Sequence, residues 1–86
     1  MKLKVYAGLT FVRGKQCRTI VAAPSKKAAL EALETVGAGR MSMYEFTNYW
    51  SATGNKIELE VALAKPLTVF RANGTDRYDF KEVVEE

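Results

Sequence analysis

Residues 25–55 read SKKAALEALETVGAGRMSMYEFTNYWSATGN, and this stretch decides the fold. It carries two helical signatures separated by glycines, while the chain on either side alternates with a period of two. Ser25 suits an N-cap, Lys26 to Val36 are strong helix formers, and Gly37 suits the residue that ends a helix. Ala29, Ala32, Leu33 and Val36 share one helical face with Leu30 on its flank, and Lys27, Glu31 and Glu34 point outward. Gly37-Ala38-Gly39-Arg40 reads as a flexible connection. Ser42 with Glu45 fits a capping box and predicts a second helix from Met43 to about Trp50. Met43, Phe46 and Trp50 fall on one stripe, expected to be core. Tyr44, Glu45, Asn48 and Tyr49 fall on the opposite side. Thr53-Gly54-Asn55 breaks the chain again.

Outward from this centre the pattern changes. Over residues 2–12, Leu3, Val5, Ala7, Leu9 and Phe11 alternate with Lys2, Lys4, Tyr6 and Thr10, the mark of a half-buried strand with Tyr6 on the outer side. Gly14-Lys15 suits a two-residue turn, and residues 17–23, CRTIVAA, form the returning strand. That turn sets Arg13 opposite Gln16, Leu9 opposite Ile20 and Ala7 opposite Ala22. On the other side, residues 56–64, KIELEVALA, alternate like a strand but begin with a helix-start signature, Asn55 and Glu58. A short helix ended by Pro66 is the expectation. Asn73-Gly74 then signals a hairpin in which Arg71 faces Asp76, Val69 faces Tyr78 and Leu67 faces Phe80. The closing KEVVEE reads as a frayed acidic end. The order is two strands, two or three helices, two strands. Residues 1–86 are expected to form one α+β domain, an antiparallel sheet from N- and C-terminal hairpins packed against short central helices.

The composition, 48% hydrophobic and 27% charged, is that of an ordinary globular chain. Neither a transmembrane run nor a signal-peptide pattern is present in MKLKVYAGLTFVRGK, so a cytoplasmic location is expected. The lone cysteine, Cys17, permits no internal disulfide, which fits the same compartment. There is no histidine, so the usual general base and the commonest metal ligand are both missing. Cys17 has only Arg18 beside it and reads as a small buried hydrophobe. Glu58 with Glu60, and Asp76 with Asp79, read as surface charge. The GAGR of residues 37–40 follows a helix, whereas phosphate-binding glycine loops follow a strand. No catalytic, cofactor-binding or metal-ligating residue is expected, and the chain is read as non-enzymatic.

Charge is unevenly placed. Residues 1–40 hold eight basic side chains (Lys2, Lys4, Arg13, Lys15, Arg18, Lys26, Lys27, Arg40) against Glu31 and Glu34, giving +6, and the remainder carries −3. A basic surface built from Lys2, Lys4, Arg13, Lys15, Arg18, Lys26 and Lys27 would attract polyanions. It would equally serve as a solvated edge that guards a strand against aggregation.

The two central helices also resemble a helix-turn-helix, whose second helix enters the DNA major groove. On that reading Tyr44, Asn48 and Tyr49 would contact bases or phosphates, with Arg40 at the approach. Two features depart from the pattern. The five residues 37–41 separate Val36 from Ser42, where a DNA-binding unit uses a turn of about 3–4 residues. The second helix also lacks a basic residue on its outer face. Two helices packed on a sheet is the plainer reading.

TIVAAPSKKAALEAL (19–33), followed by the aromatic helix, TGN (53–55), an acidic stretch and a proline, resembles small, mostly uncharacterised bacteriophage and mobile-element accessory proteins. The resemblance covers about residues 5–70. It implies a chain that binds host machinery stoichiometrically, such as a defence or transcription complex, and inhibits it. Tyr44, Asn48, Tyr49 and Arg40 are the expected partner contacts, since tyrosine and tryptophan dominate interface hot spots. Direct DNA or RNA binding through the basic N-terminal half is the alternative. Unpaired strand edges leave monomer and homodimer both open, with Lys2 and Lys4 guarding the first strand.

Overall fold

The computed structural model describes residues 3–12, 15–36, 42–72 and 80–83. The described elements run β1 (Lys4–Val12), β2 (Lys15–Ala23), α1 (Lys26–Thr35), α2 (Met43–Tyr49), β3 (Ser51–Ala52), α3 (Lys56–Ala64), β4 (Val69–Ala72) and β5 (Phe80–Glu82). The strands form one antiparallel sheet in the order β3-β1-β2-β4-β5. The α+β architecture expected from the sequence is therefore the architecture found.

The helix starts follow their local chemistry. The Ser25 hydroxyl accepts from the Ala28 amide, and the Ser42–Glu45 capping box is complete. The Asn55 side chain accepts from the amides of both Ile57 and Glu58, which resolves 56–64 as helix. Capping residues of this kind each stabilise by about 1 kcal/mol.

Both faces of the sheet are buried, and this is the main departure from expectation. On one face Tyr6, Val21, Ala23 and Val69 pack against Ala29 and Leu33 of α1 and against Phe46 and Trp50. On the other, Val5, Ala7, Ile20, Ala22 and Phe70 pack with Ala62 of α3. Tyr6 is thus a core residue rather than an outer one. It meets Phe46 with ring centroids 5.6 Å apart. In β2 every residue from Thr19 to Ala23 is inaccessible, and such a double-sided strand loses the polar half of its alternation. Ala22, Ala23, Ala29 and Ala62 are small enough to let helices approach the sheet on both sides.

The hairpin registers also differ from those expected. β1 and β2 pair Ala7 with Ile20, Leu9 with Arg18 and Phe11 with Gln16, so the partner of each β1 residue shifts by two along β2. A shift of two keeps every residue on its own face. Periodicity alone therefore could not have detected it. The residues between Val12 and Lys15 lie outside the described set. In the second hairpin Ala72 pairs with Phe80, Arg71 with Lys81 and Phe70 with Glu82, so Phe80 faces Ala72 and not Leu67 as expected. Asn73-Gly74, Asp76 and Tyr78 lie outside the described residues. Lys81 and Glu82 belong to β5, not to a frayed end.

β3 had no signal in the sequence. Ser51 and Ala52 pair with Ala7 and Tyr6, and the Thr53 amide donates to the Val5 carbonyl at 2.8 Å. From this edge α3 crosses beneath the sheet and delivers the chain to β4 beside β2. The turn into β4 is held by the Leu67 amide donating to the Ala22 carbonyl at 2.8 Å, with Leu67 at φ 64.

Candidate interaction surface

The α2 helix presents the most conspicuous surface feature. Its seven residues are too few to hold a helix by propensity, so capping and burial must hold it. The capping box closes the start: the Glu45 amide donates to Ser42 Oγ at 3.2 Å and the Ser42 amide to Glu45 Oε1 at 3.3 Å. Phe46 and Trp50 pin the inner side, stacked with centroids 5.3 Å apart and 18° between planes. Tyr44 and Tyr49 are left 79% and 78% exposed. These two large aromatic side chains stand in water on a helix whose other side is anchored in the core, so binding has only two χ angles per tyrosine left to order.

The expected stripe was right for Phe46 and Trp50 and wrong for Met43, which is 42% exposed. Met43 opens the helix and adds to the exposed apolar surface of α2. Asn48 is exposed, but its Nδ2 donates to the Tyr44 carbonyl at 2.9 Å. That amide nitrogen is engaged by its own helix. At about 100° per residue, Tyr49 stands some 140° around the helix from Tyr44. The two tyrosines therefore flank α2 rather than forming one platform. Arg40 lies outside the described residues.

The expected basic surface is divided. Arg18 is not part of it. Its Nε donates to Glu58 Oε2 at 2.7 Å and its Nη2 to Glu58 Oε1 at 3.0 Å. Glu58, read from sequence as surface charge, is 2% exposed. Thr53 Oγ1 also donates to Glu58 Oε1, at 2.7 Å, and accepts from the Asn55 amide at 3.1 Å. This network ties the start of α3 to β2 and to the turn after β3. Its sequence signal was Arg18 at an inward strand position, on the face of Ile20 and Ala22. A charge there needs a buried partner, and Glu58 on the inner side of α3 supplies it.

Lys4, Lys26 and Lys27 are exposed. They gather at one end of the sheet, because Lys4 pairs with Ala23 just before α1 begins. Lys15 starts β2 at the opposite end, and Lys2 and Arg13 lie outside the described residues. Cys17 is half-buried rather than fully enclosed. Among the described residues no three His, Cys, Asp or Glu side chains come together as a metal-binding group, and no helix is long and apolar enough to cross a membrane.

Comparison with family models, with curated proteins and with solved structures finds no match to this chain.

Proposed function

We propose that this protein is a non-enzymatic binder that occupies and inhibits a protein or nucleoprotein complex of a host cell, in the manner of a small phage-encoded accessory protein. The observation that carries the reading is α2: Tyr44 and Tyr49 stand in water on a helix anchored by Phe46 and Trp50. Tyrosine supplies large contact area and a hydroxyl at small entropic cost, which is why it recurs at binding hot spots. The cytoplasm of the host cell is the compartment in which such a partner would be met. The exposed carboxylate of Glu45 on α2 and the absence of a basic residue on its outer side favour a protein surface over the major groove.

The test is affinity capture from host lysate, with and without nuclease, comparing the wild-type chain with Tyr44→Ala/Tyr49→Ala. A partner retained after nuclease and lost with the tyrosines supports the reading. If capture vanishes with nuclease and the purified chain binds bare DNA or RNA with an affinity that falls steeply with salt, the chain is a nucleic-acid binder and the reading fails. Turnover of a nucleotide, peptide or ester by the purified chain would equally defeat it.

A further inference from the structure

The sheet has one edge that is long and only partly covered. β1 runs for nine residues, but its outer neighbour β3 has only two and pairs with Tyr6 and Ala7 alone. The Thr53 amide reaches the Val5 carbonyl, so in β1 the odd-numbered residues turn their backbone groups toward the β3 side. Successive strand residues alternate in this respect, so Leu9 and Phe11 also point their N–H and C=O groups outward, beyond the end of β3. Among the described residues nothing pairs with them. The side chain of Leu9 is 51% exposed at the same place.

Open edges of this kind are usually guarded by charge, proline or brevity. The opposite edge of the sheet, β5, is guarded: it is three residues long and carries Lys81 and Glu82, with Glu82 Oε1 3.0 Å from Lys65 Nζ. On β1 the described lysine, Lys4, lies at the far end, beyond the part β3 already covers. The open stretch Leu9-Thr10-Phe11-Val12 has no charged residue and no proline.

We propose that this edge pairs with the same edge of a second copy of the chain, joining two sheets into one. Antiparallel pairing about a two-fold axis at Thr10 sets Leu9 opposite Phe11 of the second copy and Phe11 opposite its Leu9. Both members of each pair have outward-facing backbone groups, so each pair exchanges hydrogen bonds. The pairing ends at Ala7, which Ser51 already occupies, so β3 and the second copy do not compete. A second copy fits better than a filament, because head-to-tail growth would require the charged β5 edge to meet β1. This surface is separate from α2 and stands whether or not the α2 reading does.

Light scattering after size exclusion, from low to high micromolar protein, tests it. The wild-type mass is expected to rise from 9.6 kDa toward about twice that value. Leu9→Pro removes an outward N–H without touching the β1–β2 ladder, and Leu9→Lys places a charge on the edge at an exposed position. Both variants are expected to stay monomeric at every concentration with unchanged far-UV circular dichroism. If Leu9→Pro does not fold, Leu9→Lys alone decides. A wild-type chain that remains monomeric at high micromolar concentration overturns the proposal. So does a dimer that survives Leu9→Lys, or a mass that grows without limit.

Discussion

The indole of Trp50 occupies the space a side chain at Gly8 would need. A Cβ built on Gly8 would stand 2.6 Å from Trp50 Cδ1 and nearer still to Cδ2 and Cε2. Trp50 is therefore seated directly on the backbone of β1, and through Phe46 and Tyr6 it fastens α2 to the sheet. Gly8→Ala should displace the ring and cost about 1–3 kcal/mol, as overpacking does. Trp50→Ala should cost about 3–5 kcal/mol, a large share of a small domain's stability. Denaturant midpoints followed by circular dichroism measure both. A neutral Gly8→Ala would mean that the ring has room to move.

Tyr44→Ala and Tyr49→Ala should behave in the opposite way. Both side chains are mostly exposed, so the melting temperature should change by no more than the equivalent of about 0.5 kcal/mol. Affinity for the partner should fall by about 1–2 kcal/mol per tyrosine that acts as a hot spot. Calorimetry with the captured partner reads the second quantity. Charge reversal at Lys4, Lys26 and Lys27 is the contrast. If it abolishes binding while the tyrosine changes do nothing, the interface lies at the basic end of the sheet.

The Arg18–Glu58 pair predicts an asymmetry. Arg18 keeps a third of its side chain exposed and can turn to water when Glu58 is removed, whereas Glu58 is enclosed. Arg18→Met should therefore cost more than Glu58→Leu, on the order of 3–5 kcal/mol for the stranded carboxylate. The double change Arg18→Met/Glu58→Leu should recover most of that loss, since apolar packing replaces a pair whose desolvation nearly cancels its attraction. A double-mutant cycle on unfolding free energy tests this, and additive costs would contradict it.

Leu67 sits at φ 64, a region that disfavours side chains with a Cβ, and its own side chain is largely exposed. Leu67→Gly should relieve the strain and raise stability by roughly 0.5–1 kcal/mol. Leu67→Val, β-branched, should lower it by about 1 kcal/mol. Thermal unfolding of the two variants should shift in opposite directions.

Local chemistry determined the helices. Ser25, the Ser42–Glu45 pair and Asn55 each bind amides within three residues of themselves, so the start of each described helix was written where it occurs. The alternating flanks likewise determined strands, and with them the α+β class. The outward setting of Tyr44 and Tyr49 followed from the spacing of Phe46 and Trp50 within one short helix. What remained depended on contacts between residues far apart in the chain. Whether Tyr6 faces water or Phe46 depends on which helices cover which face, and a period of two is the same in either case. The register of the first hairpin was not legible either, because a shift of two leaves every side chain on its own face. β3 follows directly on Trp50: the indole sits against Gly8, and the next two residues, Ser51 and Ala52, pair with Ala7 and Tyr6 of the same strand. Glu58 is buried because Arg18, forty positions earlier, meets it beneath the sheet. Short-range hydrogen bonds can be read from neighbouring letters, but burial belongs to the assembled layers, and only the tertiary structure decided it.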